Sequence, residues 1–225
     1  LAVADHALGG IDLRAAPGPV RDLWLEQLRA LLGVARLRRL PLNVSEARLL
    51  GGLNFTATAR TGRPVLEQGL LAECDGQFLL MSMAERAERR VVAHIGQALD
   101  DARVRLQRDG FSRDLPASIT VIALNEGIEE ERLTDSLAER LAFQCNLDDC
   151  GLADTTPPRF SPTDIDNARA LYPRVTASDD DLQTLVSTAL ALGVDSSRAT
   201  RFAIVTARAC AALAGREAIG EQDLA

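Results

Sequence analysis

The chain has 225 residues, of which 47% are hydrophobic and 25% charged, with a formal net charge of −7. That length can bury a sizeable core in one domain or two, no apolar run reaches the length of a membrane span, and the acidic balance excludes a broad basic face for nucleic acid. Cys74, Cys145, Cys150 and Cys210 form no C-x-x-C pair, and His6 and His94 stand far from them in sequence, so no metal site is expected. Reduced, mostly structural cysteines are the corresponding reading. There is no charged-then-apolar leader, which makes a cytoplasmic location the expectation. A start at Leu1 instead of Met suggests part of a longer protein.

Ile11 to Arg14 has the form of a short strand, Ala15 to Pro19 of a Pro/Gly turn, and Val20 to Leu32 of a helix. The helix carries an apolar stripe at Val20, Leu23, Trp24, Leu28, Leu31 and Leu32. Leu37 to Leu42 is a second strand, and Ser45 is the N-cap of a short helix broken by Gly51-Gly52. Gln77 to Met81 is an apolar run of the kind buried on both faces of a parallel sheet. Helical spacing runs from Ala84 to Ala102, and Val104 to Leu115 reads as a hairpin around Asp109-Gly110. Ser118 to Leu124 is the clearest strand, with Asn125 directly after its end, where ligands of open α/β sheets sit.

An acidic loop, Glu126 to Glu131, precedes a short helix from Thr134 to Leu141, and Ala142 to Leu147 supplies a fifth strand. Five strands alternating with helices indicate a mainly parallel sheet covered on both faces. Thr155 to Pro158 resembles a linker, and the remainder is helical. Ser161-Pro162-Thr163-Asp164 and Ser178 to Asp181 are helix-starting devices, and a last helix from Ser197 to Leu213 stops at Gly215. The expected layout is therefore an α/β core over 1–153, a linker over 154–160 and a small all-α lid over 161–225.

Strand, turn and helix at Ile11 to Leu32 give the outline of a phosphate-binding loop. Against the pattern G-x-x-x-x-G-K-S/T, the window from Ala15 to Asp22 fails at every fixed position: Ala15 and Val20 replace the glycines, Arg21 the lysine and Asp22 the hydroxyl that would hold Mg²⁺. Val20 resists the positive φ of an anion-binding nest, and a carboxylate repels a triphosphate. From this window alone, an ordinary strand-turn-helix is an equally good reading.

Two segments narrow the field. Leu40-Pro-Leu-Asn-Val-Ser-Glu-Ala-Arg-Leu-Leu-Gly-Gly-Leu53 and Thr61-Gly-Arg-Pro-Val-Leu-Glu-Gln-Gly-Leu-Leu-Ala-Glu-Cys-Asp-Gly76 resemble the AAA+ subunits of magnesium chelatase, and among these the D subunit, whose nucleotide motifs are degenerate. The resemblance implies a three-layer αβα AAA+ domain followed by a helical lid. It also implies a role in inserting Mg²⁺ into protoporphyrin IX, at the start of chlorophyll or bacteriochlorophyll synthesis. The implied partners are an ATPase I subunit in a common ring and an H subunit that carries the porphyrin, with ATP and Mg²⁺ bound mainly by the I subunit.

By the same resemblance, Ser82 and Met83 occupy the Walker B positions, where active relatives carry Asp-Glu. Neither can polarise water, and Glu85, the nearest acid, reads as a solvated residue at a helix start. Asn125 matches the sensor-1 site and Arg198 the sensor-2 arginine; with Gly18 and Arg21 they are the remnants of nucleotide binding. Arg140, in Leu137-Ala138-Glu139-Arg140-Leu141, matches the arginine finger, although the family has Phe where Leu141 stands. A retained finger beside a disabled pocket implies a non-hydrolysing subunit that assists hydrolysis in trans. The alternatives are a purely structural AAA+ scaffold, or an AAA+ enzyme with unorthodox pocket residues.

Overall fold

The computed structural model describes residues 1–33, 36–108, 111–128 and 130–224. Strand β1 (Gly10–Arg14) leads to helix α1 (Pro19–Leu32) and strand β2 (Leu37–Leu40). Next come α2 (Glu46–Leu50), capped by the Ser45 hydroxyl, β3 (Gly51–Leu53), α3 (Phe55–Thr61), capped by Asn54, β4 (Leu66–Gln68) and α4 (Leu70–Glu73). Strand β5 (Phe78–Met81) is followed by a 3-10 turn at Ala84–Arg86 and α5 (Arg89–Asp101). The hairpin β6 (Arg103–Arg108) and β7 (Phe111–Pro116), β8 (Thr120–Asn125), α6 (Asp135–Ala138) and β9 (Phe143–Asn146) follow. The chain ends in α7 (Pro162–Leu171), α8 (Asp179–Ala191) and α9 (Ser197–Leu213). The expected hairpin is present, but its Asp109-Gly110 tip lies outside the described residues.

Five strands form one parallel sheet in the order β2-β5-β8-β1-β9. The run Thr120–Asn125 is buried at all its positions and so is Phe78–Met81, as strands covered on both faces require. Register puts Met81, Ala123, Asp12 and Gln144 in one row, and Asn125, Arg14 and Asn146 in the next row on that face. On this face Leu79, Met81, Val121 and Ala123 pack against Val91, Val92 and Ile95 of α5 and Leu137 of α6. Full burial of each Leu, Ile, Val or Met side chain among them contributes about 1.5–3 kcal/mol.

Packing divides the chain into two compact units: Gly9–Pro17 with Ala35–Asp148, which holds the sheet, and Leu1–Leu8 with Gly18–Val34 and Asp149–Ala225, which is helical. The helical unit includes α1, which packs on α7. Within it, capping boxes at Ser161/Asp164 and Ser178/Asp181 start α7 and α8. Arg208 donates to the carbonyls of Val175 and Tyr172 and stands 4.7 Å over the Tyr172 ring. Arg216 grips Asp223 through two 2.7 Å bonds and holds its carboxyl below the usual range.

Several expectations are corrected. Helix α1 starts one residue early, at Pro19, and its buried residues are Leu25 and Leu32; the other members of the predicted stripe are half-buried. The helix expected from Ala84 to Ala102 is broken at Ala87 and Glu88, before α5. The antiparallel pair β3 and β4 is absent from the sequence reading, because three-residue strands leave no periodicity to detect. Of the four free cysteines only Cys74 is buried, with its thiol pushed up to about 11 by desolvation; Cys145, Cys150 and Cys210 are exposed.

Candidate functional site

The loop after β1 is closed by the protein's own acceptors. The Ala15 N–H donates to the Asn125 carbonyl at 3.0 Å, and the Ala16 N–H donates to Asp148 Oδ1 at 3.0 Å. Pro17 and Pro19 have no N–H, and Pro19 is the first residue of α1. From Ala15 to Asp22 no residue has a φ in the left-handed region, and Gly18 is extended at φ 169. A phosphate-binding loop turns consecutive N–H groups inward through such left-handed residues. With the Ala15 and Ala16 donors taken, prolines at 17 and 19 and no left-handed backbone, the segment cannot wrap its N–H groups around a phosphate, so it does not fit the triphosphate cradle of such a loop. Asp148 completes the closure: its Oδ2 accepts from Arg14 Nε at 3.1 Å, while Arg14 Nη2 donates to the Gly127 carbonyl at 3.2 Å.

Ser82 and Met83 follow β5 as expected. Met83 sits in the left-handed region, at φ 50 and ψ 48, a conformation that strains a non-glycine residue. Glu85 is not the solvated acid that the sequence suggests. Its side chain is 1% exposed, Oε2 accepts from the Glu126 N–H at 3.1 Å, and Oε1 stands 3.5 Å from Arg86 Nε without a hydrogen bond. The 3-10 turn swings it under the chain that leaves β8.

Asn125 is 4% exposed, and its Oδ1 accepts from the Gly127 N–H at 3.1 Å, which makes it a turn-forming amide. Beside it, Asp12 Oδ1 has no hydrogen-bond partner among the described residues. Burial pushes the Asp12 carboxyl up, against the opposing pull of the Asn125 side chain and the Arg14 charge, with Glu85 adding to the rise. Asp12, Arg14, Asn125, Arg132, Gln144 and Asn146 are among the residues around a cavity of about 380 Å³ on this face of the sheet.

Arg140 follows α6 and is held against α5. Its Nε and Nη2 donate to Asp100 Oδ2 at 2.9 and 2.5 Å, and Nη1 donates to the Ser136 carbonyl at 2.5 Å. The Arg140 backbone is fixed as well: Gly9 has φ 65, and a Cβ there would stand 1.8 Å from the Arg140 carbonyl oxygen. In the helical unit, Arg21 is 15% exposed and 3.8 Å from the exposed carboxylate of Asp22, and Arg198 is the second residue of α9. The structure thus brings Ala15, Asn125, Asp12 and Glu85 together in the sheet unit. Gly18, Arg21 and Arg198 belong to the helical unit. Sequence reasoning missed Asp100, Asp148 and the buried state of Glu85, all defined by partners 40 or more residues away.

Comparison with known proteins agrees with this architecture. Residues 182–225 match the AAA lid domain. The chain is 32% identical over all 225 residues to the magnesium-chelatase 60 kDa subunit of Rhodobacter capsulatus and 33% identical to that of Cereibacter sphaeroides, spanning 37% of the length of each. With the magnesium-chelatase 38 kDa subunit of Rhodobacter capsulatus it shares 27% identity over 82% of this chain and 59% of that protein. A solved structure from Cytophaga hutchinsonii, titled as a candidate ATPase, superposes with a TM-score of 0.67 at 15% identity, covering 99% of this chain and 76% of that one. The fold is an α/β AAA+ fold. Among the described residues no helix is long and apolar enough to cross a membrane.

Proposed function

We propose that this chain is the AAA+ module of a magnesium-chelatase D subunit, a non-hydrolysing member of a ring whose I subunits bind and hydrolyse ATP. The observation that carries the reading is the closed loop: two of its N–H groups are taken by Asn125 and Asp148, and two of its positions are prolines. Phosphoryl transfer depends on positioning and charge neutralisation, and Ser82 and Met83 supply neither. The module's own nucleotide site is weak or empty, and ATP with Mg²⁺ is held mainly by the partner. Similarity along the whole chain to the 60 kDa subunits, against 82% coverage with the 38 kDa subunit, supports assignment to the larger type of AAA+ subunit.

In this account Arg140 completes a nucleotide site on a neighbouring I subunit. The ring passes the conformational change to an H subunit carrying protoporphyrin IX, in the cytoplasm, for chlorophyll or bacteriochlorophyll synthesis. A purely structural scaffold is the second reading, favoured by one observation: Asp100 and Ser136 already engage Arg140 within its own chain. ATP turnover by the purified full-length subunit tests the non-hydrolysing assignment. No turnover is expected without the I subunit, and turnover abolished by Arg21→Ala would establish the enzyme with unorthodox pocket residues instead.

A further inference from the structure

One face of α5 carries Arg89, Ala93, Gly96, Gln97 and Asp100, which with Ser136 and Arg140 are among the residues around a cavity of about 380 Å³. The Arg140 guanidinium lies over the bare backbone of Gly96: a Cβ there would be 3.3 Å from Nε and 3.6 Å from Cζ. Asp100 takes the Nε and Nη2 edge, and the Ser136 carbonyl takes one N–H of Nη1. A guanidinium has five N–H donors in a rigid fork. Among the described residues three are engaged, and two are left.

We infer that Gly96 and Asp100 are positioning residues for Arg140, holding its guanidinium in one orientation with two donors left for the terminal phosphate of a nucleotide bound by a neighbouring subunit. The inference rests on the proposed trans role of Arg140. An unheld arginine must lose its side-chain freedom when it meets the phosphate, whereas a seated one has lost it on folding. Donors fixed before charge develops need no reorganisation during the reaction. The flat seat needs glycine at 96, because a methyl group would displace the guanidinium by a few tenths of an ångström. The seat and its carboxylate are one helical turn apart on α5, so both reach the same guanidinium.

The test is a double-mutant cycle on the full-length subunit assembled with its ATPase partner, reading kcat and KM for ATP. Arg140→Ala is expected to lower kcat about 10-fold or more. Asp100→Ala is expected to lower it roughly 3- to 10-fold with KM unchanged, and to have no further effect in the Arg140→Ala background. Gly96→Ala serves as the second variant. Alanine favours a helix interior over glycine by about 1 kcal/mol, so a two-fold or larger fall in kcat with an undiminished melting temperature cannot come from unfolding. Additive effects of Asp100→Ala and Arg140→Ala, or full activity in both seat variants while Arg140→Ala is impaired, overturn the positioning role and leave the trans finger standing. Full activity of Arg140→Ala in an intact assembly overturns the finger itself, and the inference with it.

Discussion

Glu85 Oε2 accepts a hydrogen bond from the Glu126 N–H at 3.1 Å, which ties the turn after β5 to the chain leaving β8. The acid just after Ser82 and Met83 is therefore part of the scaffold under Asn125. Glu85→Ala leaves that N–H without its carboxylate and is expected to destabilise the protein by about 1–3 kcal/mol in urea unfolding. Glu85→Gln keeps an acceptor in place and should stay within about 1 kcal/mol of wild type, with unchanged ATP turnover in the assembled complex. A loss of turnover in Glu85→Gln, with stability retained, would make Glu85 a base.

Asp12 links the same region to pH. Its carboxyl is raised above the ordinary value of 3.8, chiefly by burial, so protonation is favoured in the folded state. The corresponding stability is fully present below the unfolded pKa and is lost as pH rises through the folded one. At neutral pH the ionised group, with Oδ1 lacking a hydrogen bond, is a liability. Asp12→Asn should therefore be more stable than wild type at pH 7. The difference should shrink as the pH falls to about 3, below the unfolded value, where the wild-type group is mostly protonated in both states. Urea unfolding at the two pH values reads this directly, and a less stable Asp12→Asn at pH 7 would contradict it.

Ala102 ends α5 in the left-handed region, at φ 52 and ψ 28, with its N–H bonded to the Ala98 carbonyl. Glycine meets that conformation without a Cβ penalty. Ala102→Gly should stabilise the protein by about 0.5–1 kcal/mol, or roughly 1–4 °C in melting temperature for a chain of this size. An unchanged or lower melting temperature would show that the Ala102 methyl contributes more by packing than it costs in backbone strain.

Strands β5 and β8 are legible in sequence because each is a largely apolar run between turn signals, and the observed limits of all five strands of the sheet fall within two residues of the expected ones. The helices of the second unit are legible because Ser161, Ser178 and Ser196 announce their starts in local hydrogen-bonding chemistry. The degenerate loop is legible as a set of missing residues. Its closure is not, because Asp148 meets Ala16 across 132 positions. Glu85 misleads for a related reason: an acid at a helix start usually faces water, and only the turn at Met83 carries it under β8. The seat of Arg140 is invisible in sequence because nothing local marks Gly96 as a glycine that another side chain needs.

The most direct measurement of the central claim is ATP turnover by I subunits assembled with full-length subunit carrying Arg140→Ala, with assembly verified on the same sample. An intact complex whose turnover falls about 10-fold or more is expected, while the full-length subunit alone turns over no ATP. Wild-type turnover in an intact Arg140→Ala complex would contradict the claim and leave the module as a structural scaffold.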